Sequence, residues 1–424
     1  MTRRDFSRTA FAVTAVNALS ASRVWGANDR IRMGLIGSGG RGREDWGNFL
    51  KETDVDPVAV CDVYDPFREQ GIAMTQGRAK PFKDFRKVLE LKDVDAVLVA
   101  TPDHWHAIMT VQACEAGKDV YCEKPLSLMI SEGRKMVAAA RKNNRVVQTG
   151  SQQRSGAHYA QAVKLIQDGG IGDVHRIRAG YQRNIFPGLK PTALQSGLTA
   201  ELDWDMWLGP APKVDFDPFR CIYNFRWFWD YSGGQMTNWG AHHLDIARWI
   251  VGADAPVSVS GSGGRYALTD GGQTPDVQEV LYQFPKVVVS WTSSEISEGD
   301  PFTLDIFGNK GTLSLTRGGF TVKPDMANNL GKKTNKPLIE ALKAPASDLN
   351  GAHVRNFLDC VKSRKRPNAD VEQGHLTAVM CHLGNISTRV GRTLRWDAAQ
   401  EQIIGDSEAN KWIDRPYRTP WRLA

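Results

Sequence analysis

The first third of the chain alternates short apolar runs with amphipathic segments, a pattern typical of parallel β-strands connected by helices. Strands are predicted over residues 31–36, 55–60, 94–101, 117–122 and 146–149. Helices are predicted over residues 44–51 and 131–144. Residues 102–106 are predicted to form a turn, which a third helix follows to about Ala116. This alternation predicts an α/β Rossmann domain with a doubly wound parallel sheet, spanning residues 28–150.

From residue 151 onwards apolar residues alternate with polar ones, as in strands that have one covered face. The predicted strands are SVSGSGGRY, VQEVLYQF, VVVSWTSS, FTLDIFG and GTLSLTR, and residues 308–311 (GNKG) are predicted to form the hairpin turn between the last two. We therefore expect residues 151–330 to form an α+β domain with a mostly antiparallel sheet.

The last hundred residues divide into three parts. Residues 325–350 are polar and are expected to form a loop. Residues 353–391 predict two helices separated by Arg366-Pro367. Residues 392–424 are rich in Arg, Pro and Trp, which suggests an extension that clasps either the chain's own body or a sister subunit.

The charge balance argues against a function that requires a strongly basic surface. The formal net charge is +7, and residues 1–27 supply three of those charges, which leaves +4 on a large body. Neither a nucleic acid partner nor membrane insertion is indicated. Six cysteines without a CxxC pair argue against a zinc site, so no metal is expected, and their spacing suggests buried thiols.

The N-terminus carries a candidate export signal. Residues 2–8 (TRRDFSR) resemble the twin-arginine export motif, and the apolar stretch that follows is too short to span a membrane. Cleavage is expected near Ala27, although Trp25 departs from the usual small residue. We expect the twin-arginine translocase to export the folded protein to the periplasm or beyond. The alternative is a frayed, cytoplasmic N-terminus.

A glycine-rich turn follows the first predicted strand. In the sequence GSGGRG, Gly37 would allow the tight turn, Gly39 the close approach of a pyrophosphate and Gly42 close helix–strand packing. The second strand ends before Asp62, whose carboxylate could accept hydrogen bonds from the adenosine ribose and would repel a 2′-phosphate. This favours NAD, whereas the neighbouring Arg41 and Arg43 keep NADP open. The other residues expected to contact the cofactor are Ser38, Gly40, Arg41, Thr101, Pro102, His106, Glu123 and Lys124.

The order GSGGRG, CD, TPDHWH and AGKDVYCEKPL resembles the glucose-fructose oxidoreductase/inositol dehydrogenase/MocA family, over most of residues 31–390. The resemblance implies a second domain with a large open sheet, residues 331–391 returning to the first domain, and dimers or tetramers. It also implies that Lys124 lies beside the nicotinamide and the substrate hydroxyl. A lysine in a closed, partly apolar site would stabilise the alkoxide that develops when a C–OH group is oxidised.

A second motif of the family is found at residues 227–245 (WFWDYSGGQMTNWGAHHLD). By this resemblance His242 matches the catalytic histidine and general acid/base, and Asn238 replaces the usual aspartate one helical turn earlier. An asparagine can orient a ring or bind a hydroxyl, but it cannot stabilise an imidazolium by charge. Either the chemistry relies more on Lys124, or Asp245 supplies the charge.

Aromatic residues are dense around this motif, as in sites where rings stack on sugars. The residues expected to bind substrate are Lys124, Arg154, Tyr181, Arg226, Trp239, His242 and Asp245. The predicted function is an NAD(P)-dependent oxidoreductase acting on a sugar hydroxyl, with a tightly bound cofactor that is recycled in place. The alternatives are an NAD-dependent, redox-neutral glycosidase, which would oxidise C3, eliminate and add water, and a non-catalytic periplasmic sugar-binding protein.

Overall fold

The computed structural model describes residues 30–190, 201–299, 303–329 and 331–423, so the predicted export signal lies outside the described residues. The first sheet has six parallel strands in the order β3-β2-β1-β4-β5-β6. These strands are β1 (Ile31–Ile36), β2 (Val55–Cys61), β3 (Lys80–Phe82), β4 (Ala96–Val99), β5 (Asp119–Cys122) and β6 (Val147–Thr149). The strand order reverses between β1 and β4, which is where doubly wound sheets bind ligands.

Five helices accompany this sheet: α1 (Gly40–Phe49), α2 (Asp65–Ala73), α3 (Phe85–Leu89), α4 (Asp103–Glu115) and α5 (Ile130–Lys142). Helix α1 begins four residues earlier than predicted, because the glycine turn leads directly into it. The predicted turn at residues 102–106 is wrong beyond Pro102. Helix α4 begins at Asp103, since Pro102 takes the N-cap position and an acidic residue stabilises the first helical turn.

The second sheet has eleven strands and is mostly antiparallel, with β7 and β10 as a parallel pair. The remaining strands of the chain are β7 (Val174–Asn184), β8 (Ser258–Gly264), β9 (Val277–Gln283), β10 (Val288–Ser294), β11 (Ile296–Ser297), β12 (Leu304–Gly308), β13 (Gly311–Thr316), β14 (Gly319–Pro324), β15 (Met326–Asn329), β16 (Lys332–Pro337), β17 (Leu342–Pro345), β18 (Leu394–Asp397) and β19 (Gln402–Ile403). The predicted fold class is confirmed, and so is the hairpin between β12 and β13.

The loop expected at residues 325–350 is wrong. Strands β15 and β16 pair there as a separate antiparallel ribbon, and β17 joins the edge of the large sheet beside β14. These strands lack an apolar alternation because most of their side chains are exposed. Pairing of this kind rests on backbone hydrogen bonds, which leave little trace in the sequence pattern.

The other helices are α6 (Ala157–Gln167), α7 (Trp204–Leu208), α8 (Gly234–Asn238), α9 (Gly240–Val251), α10 (Asn350–Ser363) and α11 (Val371–Val390). A large apolar core lies between the second sheet and helices α6, α9 and α11. Helix α10 packs on α1, and α11 packs on both α5 and α9, so these two helices contact both domains. All six cysteines are free and buried, as predicted.

Residues 201–231, here called the cover segment, lie against the first domain. The backbone of Asp203 donates to Val63 over 3.0 Å, and Leu202 pairs with Tyr64 in an isolated bridge. The segment is held by a cluster of aromatic side chains, including Trp207 and Tyr231. The second domain therefore extends over the carboxyl edge of the first sheet.

The tail, residues 392–423, lies on the chain's own body. The Arg415 guanidinium is 2.8 Å from the buried carboxylate of Glu132 on α5, and the Tyr417 hydroxyl donates to the same carboxylate over 2.7 Å. Among the described residues no helix has the length and apolar character needed to cross a membrane. The same residues contain no group of three or more His, Cys, Asp or Glu side chains that could hold a metal ion.

Candidate active site

The glycine turn between β1 and α1 has one closed face and one open face. Gly37 has φ of +89°, and a Cβ there would lie 2.7 Å from the backbone after β4. A Cβ on Gly42 would lie 2.0 Å from the Gly37 carbonyl oxygen, so both positions require glycine. A Cβ on Gly40 would have no neighbour within 4 Å. The open backbone at the start of α1 suits an anionic pyrophosphate.

Asp62 joins this turn to the end of β2. Its carboxylate accepts hydrogen bonds from the Ser38 backbone at 2.7 Å and from the Tyr64 backbone at 2.9 Å. Burial raises the pKa of Asp62, and these hydrogen bonds oppose the increase. The residue lines the cleft described below, as a ribose-binding carboxylate must.

The two arginines that kept NADP open are both engaged elsewhere. Arg41 forms ion pairs with Glu44 at 3.0 Å, with Asp45 at 2.5 Å and with Glu123 at 3.3 Å. Arg43 donates to the Ser38 carbonyl and lies over the Phe67 ring. With both guanidinium groups bound to protein groups, the turn fits NAD better than NADP.

A cleft of about 370 Å³ extends from the glycine turn to Lys124. Its floor is formed by the ends of β1, β2, β4 and β5, and its other wall is the cover segment. Thr101, Pro102 and Glu123 line the floor, and Trp207, Tyr223 and Arg226 line the cover. Both domains are therefore needed to form it.

Lys124 lines the cleft two residues after the end of β5, and its peptide bond to Pro125 is cis. Its ammonium donates to the Asn238 side-chain oxygen over 2.8 Å and to the Asn238 backbone oxygen over 3.2 Å. Burial lowers the pKa of Lys124 to about 8, although the carboxylate of Glu123 opposes the decrease. A lysine with this pKa can exchange a proton near neutral pH.

His242 lies just beyond a break in the helix that carries Asn238. The single helix predicted here is two helices, α8 and α9, which are separated at Trp239. Burial lowers the pKa of His242 well below its usual value, and the Lys124 ammonium lowers it further. The ring is therefore neutral at physiological pH. Within the described part of the chain its Nδ1 has no hydrogen-bond partner.

His106 does not line the cleft. Its two ring nitrogens lie 2.9 Å from the Thr101 carbonyl and 2.7 Å from the Pro125 carbonyl, beneath the two loops that do. Burial opposes a charge on this ring, but Cys122, Asp103 and the carbonyl groups outweigh it and raise the pKa to about 10. Because both nitrogens can then donate, His106 ties the loop after β4 to the loop after β5.

Arg154 and Asp245 contact each other rather than the cleft. The Arg154 Nε donates to both carboxylate oxygens, at 2.9 and 2.7 Å, and both side chains are buried. The Thr377 hydroxyl also donates to Asp245, over 2.8 Å. The Asp245 charge is therefore matched by Arg154.

The aromatic candidates form a small platform. The rings of Tyr181 and Trp239 stack, with centroids 4.7 Å apart and planes 13° apart, and both are half-buried. Arg226, which was predicted from its position alone, faces the cleft between the Tyr223 and Phe225 rings. Such half-exposed rings beside polar groups suit a carbohydrate.

Two residues near the site were not predicted. Arg317 projects from the β13–β14 turn and lies 5.1 Å from the centre of the Trp239 ring. Glu295 follows β10 and is connected to Asn238 through Gln235. Neither belongs to a motif, because each reaches the site by the pairing of distant strands.

The glycine turn, the cleft and Lys124 together define a class of protein, the two-domain, dinucleotide-dependent oxidoreductases. Residues 31–151 match the oxidoreductase family with an NAD-binding Rossmann fold, and residues 156–266 and 330–423 match the C-terminal alpha/beta domain of the same oxidoreductase family. The chain belongs to the glucose-fructose oxidoreductase/inositol dehydrogenase/MocA family.

Relatives cover most of the chain at low identity. The myo-inositol 2-dehydrogenase of Thermotoga maritima is 24% identical over 382 residues, which are 88% of this chain and 100% of that protein. A levoglucosan dehydrogenase solved with NADH and levoglucosan has a TM-score of 0.66 at 18% identity, covering 86% of this chain and 99% of that one. An aldose-aldose oxidoreductase from Caulobacter crescentus has a TM-score of 0.65 at 19% identity, with the same coverage. The two solved structures share the fold.

The Arg154–Asp245 pair should be a major contributor to stability. Asp245→Asn leaves the buried guanidinium without a counter-charge, and we expect it to lower the free energy of unfolding by about 3 kcal/mol. Asp168→Asn is the control, because it removes an exposed ion pair with Lys164 and should change stability by less than about 0.5 kcal/mol. Urea unfolding measures both, and equal midpoints for the two variants would refute the assignment.

Proposed function

We propose that the protein is an NAD-dependent oxidoreductase that acts on a hydroxyl of a sugar or sugar derivative and keeps its cofactor tightly bound. The observation that carries this proposal is the contact between Lys124 of the first domain and Asn238 of the second, beside a cleft that also includes the glycine turn and Asp62. The relatives support the substrate class, since their names specify an inositol, levoglucosan and an aldose.

Lys124 and His242 have different roles in the proposed reaction. When bound, NAD would accept the hydride from the carbon that carries the hydroxyl. Neutral Lys124 accepts the hydroxyl proton, because its pKa of about 8 leaves about one tenth of it unprotonated at pH 7. His242 is neutral, so it orients the hydroxyl by a hydrogen bond rather than by charge.

Retention of the cofactor is proposed to depend on the cover segment and the tail. The cover lies over the cleft, and Arg418 of the tail holds it through a 2.5 Å ion pair with Asp205 and a 2.8 Å hydrogen bond to the Gly209 carbonyl. On the other side, the Trp105 indole donates to the Trp207 carbonyl over 3.0 Å. A dinucleotide could leave only after these contacts open.

Export fits a retained cofactor. Residues 2–8 resemble a signal for folded cargo, and outside the cytoplasm a released dinucleotide would not be replaced. We therefore propose an exported enzyme, assembled as a dimer or tetramer, that re-oxidises its cofactor in place with a second substrate. A redox-neutral glycosidase, which returns the hydride to the same sugar, would also suit a retained cofactor.

The function can be tested on the purified mature protein. We expect bound NAD(H), and reduction of that cofactor when free aldoses are added. Lys124→Ala and His242→Ala should each lower the rate at least a hundredfold, since both remove groups that act on the reacting hydroxyl. Lys164→Ala, a change to an exposed lysine, is the control.

The same assay separates the alternatives. Release of the aglycone from aryl glycosides without net cofactor reduction would establish the glycosidase instead. Sugar binding with neither reaction would establish a binding protein. Full activity in the Lys124→Ala and His242→Ala variants would refute the proposed site.

The pH dependence should follow Lys124. Because oxidation requires the neutral amine, single-turnover reduction of the bound cofactor should rise with pH up to about 8 and level off above it. No second transition near the usual histidine pKa is expected, since that of His242 lies well below it. Lys124→Arg, which stays protonated, should be slow at every pH. A wild-type rate that does not vary across this range would contradict the assignment.

Cofactor release should depend on Arg418. Removing its ion pair and hydrogen bonds by Arg418→Ala is expected to speed the loss of bound NAD(H) about tenfold, which corresponds to about 1.4 kcal/mol. Arg395→Ala, at an exposed position on β18, is the matched control. Dinucleotide remaining after timed dialysis gives both rates. Unchanged release from Arg418→Ala would show that the tail does not hold the cover.

A further inference from the structure

Glu295 is a buried carboxylate with no place in the chemistry described so far. It follows β10, and it accepts hydrogen bonds from the Arg183 Nε at 3.0 Å and from the Trp227 indole at 2.6 Å. A third donor is the side-chain amide of Gln235, at 2.8 Å. This last contact leads towards Lys124, because Gln235 lies on the same short helix as Asn238.

Two amide side chains connect Glu295 to Lys124. The Gln235 amide nitrogen donates to Glu295, and the Gln235 amide oxygen accepts from the Asn238 amide nitrogen over 3.2 Å. The Asn238 amide oxygen then accepts from the Lys124 ammonium over 2.8 Å. Glu295, Gln235 and Asn238 are here called the relay. It runs from a carboxylate to an ammonium through two amides that point the same way.

The direction of the relay is fixed by its ends. An ionised carboxylate only accepts hydrogen bonds, so Gln235 must present its NH2 group to Glu295 and its oxygen to Asn238. Asn238 must then present its NH2 group to Gln235 and its oxygen to Lys124. Without the carboxylate both amides could invert when Lys124 is neutral, because a neutral amine can accept a hydrogen bond from an NH2 group. Hydrogen bonds aligned in a chain also polarise one another.

We propose that Glu295 is a positioning residue, which acts through Gln235 to hold the Asn238 amide oxygen on Lys124. By the resemblance noted above, the family places an aspartate where this chain has Asn238. Here the negative charge of Glu295 lies two side chains away from Lys124. The relay therefore fixes the orientation of the Asn238 amide and does not bring a full charge to the lysine. The proposal rests on the proposed function in one respect, which is that Lys124 exchanges a proton during the reaction.

Other charged groups also act on Lys124, and they limit the expected effect. The carboxylates of Glu123 and Asp103 favour its protonated form, and the guanidinium groups of Arg226 and Arg41 disfavour it. His242 is neutral and adds no charge. Replacing Glu295 also leaves the Arg183 guanidinium without its 2.5 Å ion pair, a change of charge that a neutral break in the relay does not make. The inverted relay should lower the protonation midpoint of Lys124 by about one pH unit.

The decisive measurement is the protonation of Lys124 itself. Competitive acetylation with acetic anhydride across a pH series, read by mass spectrometry, gives the Lys124 midpoint in the full chain whether or not any sugar is oxidised. The exposed Lys164 serves as the internal reference. We expect Glu295→Gln to lower the Lys124 midpoint by about one pH unit. The pH profile of cofactor reduction should move by the same amount.

Gln235→Met provides a second variant, because it interrupts the relay without changing a charge. It should lower the midpoint as Glu295→Gln does, and combining the two should add no further shift. Asp305→Asn is the control for a carboxylate in the same sheet, since Asp305 pairs with Arg178 outside the relay. It should leave the midpoint unchanged.

Each result decides the proposal. An unchanged or raised midpoint in both relay variants would overturn it, and so would a slower reaction at an unchanged midpoint, which indicates only a structural role. Failure of Glu295→Gln to fold would leave Gln235→Met to decide. Inactivity of the wild type towards every sugar would refute the proposed function, but the Lys124 midpoints would still test the relay.

Discussion

The structure depends on one partly buried ammonium that is held by both domains. Lys124 comes from the carboxyl edge of the first sheet, and its closest acceptors are the two oxygens of Asn238 in the second domain. Amide oxygens stabilise the ammonium less than a carboxylate would, so burial dominates and the pKa falls to about 8. The lysine is therefore easier to deprotonate than a lysine in water, and burial keeps His242 neutral.

Most other charges near the site are matched by protein groups. Arg41 is held by three carboxylates and Arg154 by Asp245, whereas Arg226 and Arg317 contact aromatic rings. Buried ion pairs of this kind fix geometry more than they add affinity. His106 contributes in the same way, since its two hydrogen bonds hold the loops that carry Thr101 and Pro125. The cleft is therefore shaped by matched charges that line it, such as Arg41 and Arg226, and by groups behind it, such as His106 and the Arg154–Asp245 pair.

The sequence predicted the parts that depend on neighbouring residues. The buried strand β4 is a continuous apolar run, Gly37 is required by its positive φ, and Gly42 is required by a contact within the same turn. Edge and exposed strands such as β3 and β16 were missed, because nothing buries their side chains in a regular pattern. The pairing of Arg154 with Asp245 and the position of Glu295 depend on packing between segments about ninety and sixty residues apart, which no local motif records.

The cover segment connects these observations to the proposed reaction. Trp207 and Arg226 of the cover line the same cleft as Lys124, whose pKa is lowered by burial. The contacts that hold the cover over this cleft are the ones proposed above to retain a dinucleotide. Because Trp227 binds Glu295 while its neighbour Arg226 lines the cleft, any movement of the cover would disturb the relay as well. The proposed proton exchange at Lys124 and the proposed retention of the cofactor thus depend on the same contacts.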